Sequence, residues 1–221
     1  ALPLNVTRVR MVQYFSKQYI IVYGGSPTYT LLEYDGLSDT VTDRTAKLPA
    51  GVTAPVDIFK YGTRLGVVDE QGEIVLSKSD ANIVTDPTPW DTSAGAFSFV
   101  VGRGDGLTVS NVASASGILA ISKELAAHRL TTLDKLTGAT ASEYRQDIVS
   151  PTHGFYGQSA VEVGSDIFGL HPAGFDLLRV VDQFGEGVLN TQRVNVAGLT
   201  SEVPKWIQKI LENINKDKTN I

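Results

Sequence analysis

Cysteine is absent from the 221 residues, so disulfides and thiolate metal sites are excluded, and the redox compartment cannot be read from thiols. Long apolar runs are missing too: none approaches the roughly 18 to 20 residues that a bilayer-spanning helix needs. The amino terminus has no basic segment leading into an apolar signal core. Charge is sparse, at 19% of residues. With 19 Lys and Arg against 24 Asp and Glu, the formal charge of −5 argues against tight electrostatic capture of nucleic acid. No membrane partner and no sequence-specific DNA binding are therefore expected. The chain starts at Ala1 and ends in polar Asn215–Ile221, which suggests a piece of something longer.

What the chain has is glycine, 21 residues of it, beside 42% hydrophobic content, a mixture suited to short strands and tight turns. Period-2 apolar alternation marks the same unit four times, each an entering strand, a very apolar strand and a partner strand. The first unit uses Val9, Met11 and Tyr14, then Tyr19–Tyr23, then Leu31–Tyr34. The second uses Val56, Ile58 and Phe59, then Leu65–Val68, then Ile74–Leu76. The third runs Leu107–Val109, a Ser/Ala-rich link, Ile118–Ile121 and His128–Thr131, and the fourth Ala160–Val163, Ile167–Leu170 and Phe175–Leu178. Ile20, Leu65, Ile118 and Ile167 recur at intervals of roughly 45 to 55 residues, close to the blade period of β-propellers.

The expected fold is all-β: a β-propeller or partial propeller of about four to five antiparallel blades over residues 1–200, with a β-sandwich as the alternative. A meander has two faces and cannot bury both alone, so stacking against neighbours makes its middle strand apolar throughout. Open edges are a hazard. Either further blades lie in a longer chain, or Thr40–Thr42 and Phe97–Val101 supply outer strands and a weak extra blade. Residues 201–221 form a second unit. There Val203, Trp206, Ile207, Ile210, Leu211 and Ile214 fall at helical spacing, which predicts an amphipathic helix that caps the fold or docks on another subunit.

Candidate chemistry is thin. His128 reads as a strand-surface imidazole and His171, before Pro172, as part of a polar turn; His153, in Ser150–Gly154, is the one open to a role. No zinc-type histidine pair, serine elbow or phosphate loop occurs. Gly102–Gly106 alternates glycine in the manner of a phosphate cradle, yet it leads into a strand, and its Arg103-Gly104-Asp105 reads as a turn. Asn5-Val6-Thr7 matches a glycosylation acceptor with nothing else in support. Asp80, Asp86, Asp91 and Asp105 lack EF-hand spacing and read as turn formers. No catalytic residue, cofactor or metal site is expected, and the chain is not expected to be an enzyme.

Two stretches resemble a known family. Ile74–Ser77, Trp90-Asp91, Phe97, Gly102–Gly106, Val112, Gly117–Lys123 and His128–Leu130 form one; Ser150–Gly154, Ser159, Val161, Val163–Phe168, Leu170, Gly174 and Leu178 form the other. Their order is similar to the propeller of bacteriophage tail nozzle or hub proteins of short-tailed phages, over roughly Val56 to Ile214. Those proteins are usually longer, with more blades after the helix and a platform elsewhere. The resemblance implies a structural virion component that forms a homo-oligomeric ring around the DNA channel and contacts the head-to-tail adaptor or tail fibres. DNA would pass without specific binding, and Trp90, Trp206, Ile207 and Ile210 would serve the subunit interface. Two alternatives remain. One is a sugar- or protein-binding propeller with pockets lined by aromatics such as Tyr144, Phe155 and Tyr156; the other is a propeller-type hydrolase.

Overall fold

The computed structural model describes residues 5–24, 28–102, 104–115, 118–123, 127–132, 144–150, 154–155, 159–163, 166–171, 174–183 and 186–193. Among them the chain is all-β, with four four-stranded antiparallel sheets, each a simple meander of consecutive strands. The first holds β1 (Arg8–Tyr14), β2 (Lys17–Tyr23), β3 (Tyr29–Asp35) and β4 (Thr40–Asp43). The second holds β5 (Pro55–Tyr61), β6 (Arg64–Asp69), β7 (Glu73–Leu76) and β8 (Phe97–Val100). The third holds β9 (Val109–Ala115), β10 (Ile118–Lys123), β11 (Ala127–Thr132) and β12 (Tyr144–Ser150). The fourth holds β13 (Val161–Val163), β14 (Asp166–His171), β15 (Gly174–Gln183) and β16 (Glu186–Arg193).

The four sequence repeats fall on these four sheets, and Ile20, Leu65, Ile118 and Ile167 all lie in the second strand of their sheet. Two details differ. Thr40–Thr42 and Phe97–Val100 supply outer strands as expected, β4 and β8 of the first two sheets, but they make no extra sheet. Leu107 and Thr108 precede the third sheet, whose first strand continues to Ala115; the Ser/Ala-rich stretch up to that residue is itself strand and not a link. The segment with the expected C-terminal helix lies outside the described residues.

The sheets stack in chain order through their first strands: β1 lies against β5, β5 against β9, and β9 against β13. No closed ring is seen among the described residues. The second sheet shows why stacking makes a strand apolar throughout. Successive side chains of a strand point to opposite faces, and every residue of β6 is buried. Its Leu65 and Val67 join Ile21, Leu31, Ile58 and Val75 in a core shared with the first sheet. Its Val68 joins Phe59, Ile74, Leu76, Leu119 and Ile121 in a core shared with the third. Gly66 lies under the Phe59 ring, where a Cβ would collide with the ring and with Leu76. Gly169 of β14 lies in the same way under the ring of Phe155.

Candidate functional site

Three of the residues that tie one sheet to the next occupy one repeated position. Arg10, Asp57 and Asn111 are each the third residue of the first strand of their sheet. In the second and third sheets a β-bulge precedes that residue: Val56 falls between paired Pro55 and Asp57, and Ser110 between paired Val109 and Asn111. A bulge inserts one extra residue into the strand and re-aims the neighbouring side chain. Here it turns an acceptor side chain out of its own sheet and onto the backbone of the next.

Asp57 is 4% exposed. Arg10 of β1 donates to it through Nε at 3.1 Å and Nη2 at 2.8 Å, a bidentate pair. Oδ2 also accepts from the Val112 amide of β9 at 3.3 Å, and Oδ1 from its neighbour Ile58 at 2.9 Å. One carboxylate thereby joins three sheets. Burial pushes its pKa up, while Arg10 and the two amides pull it back. Asn111, fully buried, repeats the device without charge: Oδ1 accepts from the Ala160 amide at 3.2 Å, just before β13. Beside it, Ser110 donates to the Phe155 carbonyl at 2.7 Å and Ser122 accepts from the Phe155 amide at 2.6 Å, so residue 155 is clamped to the third sheet.

Where β1, β5 and β9 begin, a cavity of about 430 Å³ opens between them. The Arg8 guanidinium lies 3.7 Å above the Tyr23 ring on one wall. Arg8 Nε and the Tyr23 hydroxyl are buried with no hydrogen-bond partner. Burial pushes the Tyr23 pKa up to about 12 against the pull of the Arg8 cation, so the phenol stays a proton donor at neutral pH. Tyr29, Pro55, Val56 and Val109 give the cavity apolar surface, and Glu70 stands at its edge.

The turn Gly102–Gly106 has a structural task. Lys123 is 1% exposed and donates to both carboxylate oxygens of Asp105 at 2.9 Å and to the Gly102 carbonyl at 3.3 Å. Gly102 and Gly72 have positive φ, and a Cβ on Gly102 would run into Asp105 and Lys123. The acidic residue of the tripeptide is thus committed to a buried ammonium; Arg103 lies outside the described residues. Asp86, Asp91 and Asp105 accept from Thr88, Ser93 and Leu107 amides two residues on, the turn role expected of them.

Of the residues assigned to an interface, Trp90 is half-buried against the core between the first and second sheets and donates from Nε1 to the Lys47 carbonyl at 2.7 Å. Trp206, Ile207 and Ile210 lie outside the described residues, as do His153 and Tyr156. His128 stands on β11, and His171 ends β14 at its hairpin with β15. Phe155 is 2% exposed and belongs to the packing on Gly169, not to an open aromatic wall. Sequence reasoning misses Asp57, Asn111, Arg8 and Tyr23. A signal is present in Pro55-Val56-Asp57-Ile58 and Val109-Ser110-Asn111-Val112, where an acidic or amide residue sits among strand residues at the same place in two repeats.

No family model matches the chain, and no curated protein matches it in sequence. Among solved structures it is similar to the extracellular domain of a hybrid two-component system from B. thetaiotaomicron, at 12% identity and a TM-score of 0.46, over 91% of this chain and 24% of that one. The chain thus spans about a quarter of that protein's length.

Proposed function

We propose that the four sheets are blades of a β-propeller or partial propeller, and that the chain is a structural, non-enzymatic component of a bacteriophage tail of the nozzle or hub type. The propeller rests on one observation above all: β1, β5, β9 and β13, the first strands, are successive neighbours, as inner strands around an axis are. Burial of the second sheet on both faces and the repeated bulge before Asp57 and Asn111 support it further.

The tail assignment rests on the sequence pattern from Ile74 to Leu178. In this reading the chain forms a homo-oligomeric ring in the virion, beside adaptor or fibre proteins. DNA passes through without specific contact, which the formal charge of −5 favours, since a net acidic wall does not hold a polyanion. Cross-linking of intact particles followed by mass spectrometry tests the assignment. The expected result is a ladder of bands at multiples of one subunit's mass, each containing peptides of this chain. Absence from purified particles, or a monomer band alone, overturns it.

A further inference from the structure

We infer that the cavity between the starts of β1, β5 and β9 is a binding site for a saccharide bearing one carboxylate, a hexuronic acid unit, held by Arg8 and Tyr23. The site is independent of the tail assignment, since it rests on the cavity's own chemistry.

Three observations carry it. The first is donor capacity: Arg8 Nε and the Tyr23 hydroxyl are buried on one wall without a hydrogen bond of good geometry, although the two side chains act on each other. Leaving such donors unsatisfied is costly, and an acceptor from a ligand recovers part of that cost. The second is charge. Arg8 makes none of the ion pairs found among the described side chains, and its stacking on Tyr23 fixes the plane of the guanidinium. A planar fork of donors matches an oxyanion, and a carboxylate most closely, because both are flat.

The third is the remainder of the lining. Tyr29, Pro55 and Val109 offer apolar surface for the C–H face of a sugar ring, and Thr108 and Glu70 offer hydrogen-bonding groups for its hydroxyls. Glu70 also disfavours a densely charged ligand, since a second anionic group would meet it. A volume of about 430 Å³ falls within the range of small-molecule sites and accommodates one or two sugar units.

The test is calorimetric titration of the full chain with sodium glucuronate, with glucose and glucose 6-phosphate as the neutral and phosphate arms. Glucuronate is expected to bind at least about tenfold more tightly than glucose. Arg8→Gln is expected to abolish that preference. Tyr23→Phe keeps the ring under Arg8 and removes only the hydroxyl, so it is expected to weaken glucuronate several-fold with no fall in the melting temperature. This second variant keeps the test decisive if Arg8→Gln folds poorly. Equal binding of glucose and glucuronate, binding of the phosphate ester alone, or glucuronate affinity unaltered in Tyr23→Phe would each overturn the inference.

Discussion

Asp57 and Asn111 do the same job at two junctions of the stack, one with a charge and one without. Each follows a bulge, each is the third residue of a first strand, and each accepts an amide from the next sheet. The charged version also receives a guanidinium from the sheet before, and so reaches two neighbours. The neutral version accepts from the residue just before the fourth sheet, and its Nδ2 donates to Ser110 Oγ at 3.3 Å. A carboxylate gains a partner but must have one, because an unpaired buried charge is far more costly than an unpaired amide.

The largest expected effect comes from taking away that partner. Arg10→Ala leaves Asp57 buried with only backbone donors, and a loss of about 3 to 5 kcal/mol is expected in urea unfolding at neutral pH. Adding Asp57→Asn to the same chain removes the stranded charge and is expected to restore part of the loss. If the double variant is as unstable as the single one, charge is not what the pair resolves.

Next comes Asn111→Asp, which puts a charge where the structure has an amide. Ser110 already directs its proton at the Ser122 and Phe155 carbonyls, so a carboxylate there loses the Nδ2 donation and places a charge in a fully buried position. A loss of roughly 2 to 4 kcal/mol is expected at pH 7, with recovery as the pH is lowered and the new group protonates. Gly66→Ala probes packing in place of charge. The added methyl meets Phe59 and Leu76 in the doubly covered sheet, and a loss of about 1 to 3 kcal/mol in the same assay is expected.

A smaller effect separates two buried carboxylates by the sign of their pH dependence. Burial raises Asp57's pKa, and the net shift is upward, so its contribution to stability declines as pH rises from the ordinary value near 3.8 through the folded one. For Glu33 burial also pushes upward, but Lys17, Tyr19 and Arg44 outweigh it and the net shift is downward. Its contribution is complete above the ordinary value near 4.5 and is lost as pH falls through the folded value. Glu33→Gln is therefore expected to flatten the acid side of a plot of urea midpoint against pH. An unchanged acid slope would show that Glu33 does not set it. Lys78→Ala, which breaks an ion pair with Asp86 at the surface, is expected to leave the midpoint where it is.

The four-sheet plan is legible in the sequence because doubly covered strands such as Leu65–Val68 carry apolar residues on both faces, and that breaks the usual alternation visibly. The outer strands are harder: Thr40–Asp43 is almost wholly exposed, so it leaves no hydrophobic pattern to read. The extent of β9 is hidden because Ser110, Asn111 and Ser114 look like linker residues. The polarity of Ser110 and Asn111 serves bonds beyond their own sheet, and composition alone does not distinguish that from a loop. For the same reason Asp57 does not stand out between Val56 and Ile58. The cavity is not legible at all, since Arg8 and Tyr23 meet only through the antiparallel register of β1 and β2.

First strands that lie side by side, stitched through side chains, hold the stack together. Amide hydrogen exchange at Val112 tests this most directly. Val112 sits on β9, an edge strand among the described residues, and its amide is held by Asp57 and not by a backbone ladder there. The expected result is strong protection that Asp57→Ala removes at Val112 while amides of the β10–β11 ladder keep theirs. Fast exchange at Val112 in the unaltered chain, or protection that survives Asp57→Ala, would contradict the stitched stack.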